Sequence, residues 1–371
     1  MPCSHPNTII HWRFAQRGEK GIKYFTFSSG YSPEKKAALE QDERIKEAIK
    51  VPCTRCTYCR IQYSKNWATR LMLELPYHKN NWYVTLTYND GQIPGEIYAT
   101  AKADDLGEVY EESIAFQGHL EPEDLTKFWK RLRRSLNYHG EEISGKLKYF
   151  CCGEYGPQTD RPHYHAIIYD LPIPTSDLVP YKKNHLGQQL YISPYLEKIW
   201  GHGYVTVGQV TWESCAYVAR YVMKKTYGDH KEDVYTNGKI PEFLRSSTKL
   251  GEQYLKDHGQ EIYETDEIIL SSNGKIKRSR PPKYFDYLYD LIDPERMKEI
   301  IQERKEKARI AEARLLDQTT LTYEQYLEQS EELLKQKTQK LRRTEAYENH
   351  KHKTVQRSED LPTHGKQNQE N

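Results

Sequence analysis

Two imidazoles set one residue apart, His163 and His165, stand at the entrance of an apolar run and constrain this chain more than anything else in it. Ala166 to Tyr169 is apolar and partly β-branched, which selects a buried strand. Side chains two apart on a strand point to one face, so His163 and His165 project together. Two neutral imidazoles can hold a divalent ion, and one carboxylate completes a three-ligand site with positions left open for substrate. A His-x-His pair also occurs as ordinary surface histidine, so its surroundings decide its meaning.

Upstream lies Glu154, in an apolar strand from Leu147 that runs into the Gly156-Pro157 turn. A hairpin through Tyr155–Pro162 brings Glu154 back beside the histidines and supplies the carboxylate. Downstream, the segment from Tyr217 through Lys225 reads as a helix. Either Thr211 or Ser214 can cap it, and Cys215, Val218, Ala219 and Val222 form its apolar stripe. Tyr217, Tyr221 and Lys224 fall at i, i+4 and i+7 on a different face. With 30 tyrosines in the chain, a helical pair alone says little. A metal site followed by paired tyrosines and a lysine one turn on is a different matter.

These residues resemble those of the replication initiators of microviruses, small single-stranded DNA phages, and most closely the gokushovirus-like branch. That family consists of His-hydrophobe-His endonucleases that start rolling-circle replication. Its first motif matches Tyr83-Val-Thr-Leu-Thr-Tyr88. The second matches Gly153-Glu154-Tyr155-Gly156 with Arg161-Pro-His-Tyr-His165. The third, the two-tyrosine helix, matches Tyr217-Val-Ala-Arg-Tyr221, and Tyr221-Val-Met-Lys224 also fits the form used by single-tyrosine relatives. Phe128-Trp-Lys-Arg-Leu-Arg133, Met1-Pro-Cys3 and the cysteine run 52–60 are similar to that branch too, so the resemblance spans roughly residues 1–290 in order.

The resemblance implies a metal-dependent nickase. Mg²⁺ or Mn²⁺ held by His163, His165 and Glu154 would polarise the scissile phosphate of the phage origin. A phenol with a pKa of about 10 is a poor nucleophile, and Lys224 would favour its phenolate. Tyr221, with its Tyr-x-x-Lys context, is expected to attack first and Tyr217 to resolve the product. The outcome would be a 5′-phosphotyrosine link, a 3′-OH that primes a host polymerase working with a host helicase, and religation into a circle. Two other readings stay open. One is a zinc-stabilised DNA-binding or packaging protein with incidental histidines. The other is a metal-dependent phosphodiesterase that uses water and needs no tyrosine.

Charge would not have led there. Lys plus Arg is 55 against 53 for Asp plus Glu, so any DNA footprint must be local. The sequence shows neither a signal peptide nor an apolar run of membrane-spanning length, which suits a protein of the host cytoplasm. Seven cysteines, three of them packed together, suit a reducing compartment with a metal site.

Cys53, Cys56 and Cys59 follow a Cys-x2-Cys-x2-Cys spacing. Structural zinc requires four ligands, and Cys3 is the natural fourth, with His5 or His78 as substitutes. An iron–sulfur cluster begins with the same spacing, although position 63 is Tyr rather than another cysteine. Three free thiols are the remaining alternative. Cys151, Cys152 and Cys215 read as core residues.

The fold expected is α+β: a central antiparallel sheet of the His-hydrophobe-His endonuclease type, holding strands 82–88, 147–154 and 163–170, with helices on its faces. Residues 1–79 would form an N-terminal hairpin (Thr8–Phe14 with Lys23–Phe27) and the cysteine element, which opens a helix from Arg60 to Leu75. Residues 33–50 are charged and helix-permissive. Residues 80–228 would be the nicking core, within which Asn89–Gly118 reads as a surface loop. Glu121–Tyr138 is an amphipathic helix whose Lys130, Arg131 and Arg134 form either a DNA contact or a solvated face. Residues 229–293 would add an accessory hairpin at Ile268–Ile276 and a basic segment. There Lys277, Arg278 and Arg280 precede a run of aromatics, which suits single-strand contacts, or a basic loop before a packing helix. Residues 294–371 read as a charged helical tail with a disordered end from about Asn349.

Overall fold

The computed structural model describes residues 3–18, 21–27, 45–103, 109–138, 147–156, 159–184, 187–220, 235, 238–272 and 274–338. It is an α+β protein built on a large antiparallel sheet flanked by helices. A small sheet comes first: β1 (Asn7–Gly18) pairs on one side with β2 (Gly21–Phe27) and on the other with β3 (Ile45–Val51). The expected hairpin is therefore present. The helix-permissive reading of 33–50 is corrected over its last residues, which pair with β1 from Asn7↔Val51 to Trp12↔Ile45. Charges spaced between Ile45, Ile49 and Val51 suit one face of either element, so composition could not separate them.

Helix α1 (Thr57–Glu74) starts at Cys56, whose side chain accepts the Cys59 N–H as an N-cap. Strand β4 (Trp82–Tyr88) follows. The stretch 89–118 is corrected from a loop to an antiparallel ribbon, β5 (Gly95–Ala103) with β6 (Val109–Gly118). Ile97, Ile114 and Phe116 on it are exposed, so no burial alternation announced those strands. Next come α2 (Pro122–Tyr138), β7 (Tyr149–Tyr155), β8 (Pro162–Ile168), β9 (Val179–Lys183) and β10 (Gln189–Ile192).

Helix α3 (Pro194–Trp200) is bounded by the Ser193 cap and by Gly201, whose φ of 72° is the left-handed stop that glycine tolerates. Strand β11 (Gly203–Gln209) and helix α4 (Trp212–Ala219) follow. Both cap candidates act on α4: Thr211 accepts from the Ser214 N–H, and Ser214 reaches back to the Thr211 backbone. The remaining elements are β12 (Phe243–Ser246), α5 (Glu252–Thr265), the hairpin β13 (Ile268–Ser272) with β14 (Lys275–Ser279), α6 (Lys283–Asp290), α7 (Pro294–Leu316) and a last helix α8 over 323–338. The tail is thus helical as far as it is described; its end from Asn349 lies outside the described residues. No described helix is long and apolar enough to cross a membrane.

The main sheet has the order β12-β7-β8-β4-β11-β10-β9, with every neighbouring pair antiparallel. Alternation along β4 and β8 sorts side chains to two cores. Val84, Leu86, Tyr88, Tyr164, Ala166 and Ile168 pack against α2 and α3 through Phe128, Trp129, Leu132 and Trp200. Phe150, Cys152, Ile167 and Tyr169 face the other way, against Ala68 and Leu71 of α1 and Cys215 and Val218 of α4. A third cluster joins α5, α6 and α7 beneath α1. Each fully buried large side chain contributes about 2 kcal/mol, and helices pack on both faces of the central strands, while Thr85, Thr87 and His163 stay half-buried.

Candidate metal centre and tyrosine site

The hairpin β7–β8 sets Glu154 directly opposite His163 and Cys152 opposite His165. Glu154, His163 and His165 therefore share the face that carries α1 and α4. Their ligand atoms all lie within 4.8 Å of one another. Glu154 Oε1 is 3.1 Å from His163 Nε2 and 3.2 Å from His165 Nε2. A carboxylate only 1% exposed must be matched by donors or a cation, and here two imidazoles converge on one of its oxygens. Two imidazole nitrogens and a carboxylate oxygen form a donor set for a divalent ion, and the spacing permits one ion to meet all three. Of the three, His163 is the most open to solvent.

The ring orientations favour the same reading. His163 Nδ1 lies 2.9 Å from the carbonyl oxygen of Arg161, so it donates there and leaves the Nε2 lone pair facing Glu154. His165 Nδ1 lies 2.7 Å from the Tyr83 hydroxyl and 2.9 Å from Thr85 Oγ1, both on β4. A neutral His165 that turns its Nε2 lone pair inward carries its proton on Nδ1, where these oxygens can accept it. Burial, with the Glu154 charge in the same direction, pushes Tyr83 well above the ordinary phenol range, so its hydroxyl stays neutral.

Helix α4 brings Tyr217 to the same point. Its hydroxyl donates to Glu154 Oε1 at 3.1 Å, and its ring meets the His165 ring edge-on at 5.0 Å. The Arg220 guanidinium stands 5.5 Å from the Tyr217 ring centroid. The tyrosine beside the carboxylate is thus the one expected to act second; Tyr221, Lys224 and Val222 lie outside the described residues.

The expected DNA contacts separate. Lys130, Arg131 and Arg134 are exposed on α2, across the sheet from Glu154 and the histidines. Arg131 also donates to the Trp200 carbonyl at 2.6 Å, which ties α2 to α3. Lys277 stands over the Trp212 ring, 4.3 Å from its centroid, at the start of α4. Arg278 pairs with Glu267, and Arg280 is exposed. Of the two basic groups, only the second borders the tyrosine helix.

Tyr83, Thr85, Arg161 and Arg220 lie within the matched motifs, but none of them had a role at this site assigned from the sequence. Arg161 donates to Asp90 and to the Tyr88 carbonyl, fixing the chain just before His163. The alternation Tyr83-x-Thr85 was the available signal, but its meaning depends on the pairing Thr85↔His165.

Cys3, Cys53, Cys56 and Cys59 also come together. The two substitutes for Cys3 are engaged elsewhere: His5 pairs with Glu331, and His78 with Glu74 and Asp170. Cys151, Cys152 and Cys215 are buried core, as expected.

The profile of the replication-associated protein ORF2/G2P family matches residues 81–226. Replication-associated protein ORF2 of Spiroplasma virus 4 is 32% identical over 287 residues, covering 77% of this chain and 79% of its own. Replication-associated protein VP4 of Bdellovibrio phage phiMH2K is 28% identical over 67% of this chain and 70% of its own. Replication-associated protein ORF4 of Chlamydia phage 1 is 30% identical over 68% of this chain and 57% of its own. No solved structure matches.

Proposed function

Because this chain belongs to the replication-associated proteins of microviruses, we propose that it nicks single-stranded phage DNA by tyrosine attack and reseals it during rolling-circle replication in the host cytoplasm. The observation that carries this reading is the Tyr217 hydroxyl 3.1 Å from Glu154 Oε1, within the cluster of Glu154, His163 and His165. A nucleophile, a metal-ligand set and a cation on one face are the parts that phosphoryl transfer needs.

A divalent ion on Glu154, His163 and His165 would supply a Lewis acid for a non-bridging phosphate oxygen. Tyr217 holds its hydroxyl at that position, and the Arg220 charge lowers the cost of its phenolate. The phenol gives up its proton, its oxygen bonds to phosphorus, and the bond to the 3′ oxygen breaks as that oxygen takes up a proton, leaving a 5′-phosphotyrosine and a 3′-OH. The reverse attack by a 3′-OH reseals the strand, so the bond energy is kept in the adduct without ATP. Tyr221 is the second nucleophile of this scheme, with Lys224 supporting it. Lys277 and Arg280 would hold the strand near α4. A host polymerase and helicase would use the exposed 3′ end.

The test is a denaturing gel of the protein with end-labelled single-stranded DNA of the phage and Mn²⁺. A labelled band at protein size is expected, sensitive to chelation and absent in Tyr217→Phe/Tyr221→Phe. Cleavage without an adduct would instead establish a hydrolase that uses water, and binding without cleavage would leave a DNA-binding protein.

Support for His165 is separately testable. Removing a partner that orients a metal-bound histidine commonly costs about 10–100-fold in metal affinity or activity. Tyr83→Phe/Thr85→Val is expected to raise the Mn²⁺ concentration for half-maximal nicking by about that factor. Nicking should recover at saturating Mn²⁺, and a titration of rate against Mn²⁺ reads both quantities.

A further inference from the structure

We propose that Cys3, Cys53, Cys56 and Cys59 form a structural zinc centre, and that this centre holds the C-terminal helix α8 in place through Glu331. The four sulfurs lie within 4.8 Å of one another, and Cys3 Sγ is 3.8 Å from Cys56 Sγ. A tetrahedron of sulfurs at about 2.3 Å from zinc has edges of about 3.8 Å. Bonded disulfide sulfurs are far closer, at about 2.0 Å. An iron–sulfur cluster would place a cage of metal and sulfide between its cysteines and spread them wider.

The backbone is arranged for thiolates. The Cys53 N–H points at Cys3 Sγ at 3.2 Å, the Cys56 N–H at Cys53 Sγ at 3.2 Å, and the Cys59 N–H at Cys56 Sγ at 3.5 Å. Cys56 is also the N-cap of the 18-residue helix α1, where the dipole favours negative charge. Donors aimed at three sulfurs stabilise the anions that a metal needs.

Next to these ligands sits a carboxylate from far along the chain. Glu331 accepts from the Ser4 hydroxyl, pairs with His5 Nε2 at 2.9 Å, and accepts from the Thr57 N–H at 3.3 Å. Ser4 follows Cys3 directly, and Thr57 follows Cys56 directly. Glu331 is buried, as are Leu327 and Ser330 on the same helix. Its grip therefore depends on the N-terminal segment lying against the start of α1. The Asn7↔Val51 pairing of β1 with β3 brings this segment alongside, and a tetrahedral ion on Cys3, Cys53, Cys56 and Cys59 would fix its first residues against the start of α1.

The experiment uses the full chain purified without chelator and runs elemental analysis beside hydrogen exchange. One zinc per chain is expected, unchanged in His163→Ala/His165→Ala, which separates this centre from the nickase site. Loss of that zinc, by a thiol-reactive mercurial or in Cys3→Ser, should raise exchange over 323–338 at least tenfold. Glu331→Gln should raise exchange over the same residues while the zinc stays at one per chain. Stoichiometric iron, or chains that fold without metal, would overturn the zinc assignment. Unchanged protection of 323–338 after zinc loss would overturn the coupling.

Discussion

Replacing His165 or Glu154 with alanine should abolish nicking while leaving both tyrosines in place. Each substitution removes one of the three proposed ligands from a cluster with no other His, Cys, Asp or Glu completing it among the described residues. A metal acting as Lewis acid provides several kcal/mol of transition-state stabilisation, so the rate should fall by about a thousandfold or more. Excess Mn²⁺ should restore little, because the remaining pair of ligands cannot hold the ion in one geometry. This separates the ligands from Tyr83 and Thr85, whose removal extra Mn²⁺ should offset. Single-turnover rates on labelled single-stranded DNA, with and without added Mn²⁺, read the difference. Full activity of Glu154→Ala would remove the carboxylate from the mechanism and leave the buried cluster as a structural device.

The second large effect is on stability and belongs to Glu74, at the end of α1. Its side chain is fully buried. Glu74 Oε1 accepts from His78 at 2.8 Å and from Lys148 at 2.5 Å, and Glu74 Oε2 accepts from the Gly251 N–H at 2.5 Å. Burial alone would raise this carboxyl, but these hydrogen bonds and the Lys148 charge outweigh it and hold the pKa at about 2, below its ordinary 4.5. A folded value below the unfolded one stabilises the native state above the unfolded pKa. That stability is lost as pH falls from 4.5 towards 2. The size of the shift corresponds to about 3 kcal/mol at neutral pH. Glu74→Gln should therefore lower the unfolding free energy by about that amount at pH 7. The gap from the parent protein should close as the pH approaches 2, and urea titrations at a series of pH values would show it. A gap independent of pH would mean that packing, rather than charge, makes Glu74 matter.

The site was legible in the sequence wherever its geometry is local. Glu154, His163 and His165 lie on one hairpin, and period-two alternation plus a turn is enough to bring them together. Tyr217 followed from helical spacing after a capped start. What escaped depends on pairings between distant segments. Thr85 meets His165 only because β4 inserts beside β8, and no local pattern encodes that register. Glu331 reaches Ser4 across most of the chain with no signal in either segment. Among the strands, β3 was missed because its charges alternate as well for a helix, and β5–β6 because its apolar residues face solvent. The basic face of α2 could be found by composition, but which side of the sheet it occupies could not.

Among the described residues, β9 is an outer strand of the main sheet, where one molecule can meet another. All five residues of Val179–Lys183 are exposed, and a bare strand edge invites a neighbour's strand to extend the ladder. Pro180 removes one donor from that row, and Lys182 and Lys183 present positive charge to any identical copy. Both features disfavour edge-to-edge pairing between identical copies at this strand.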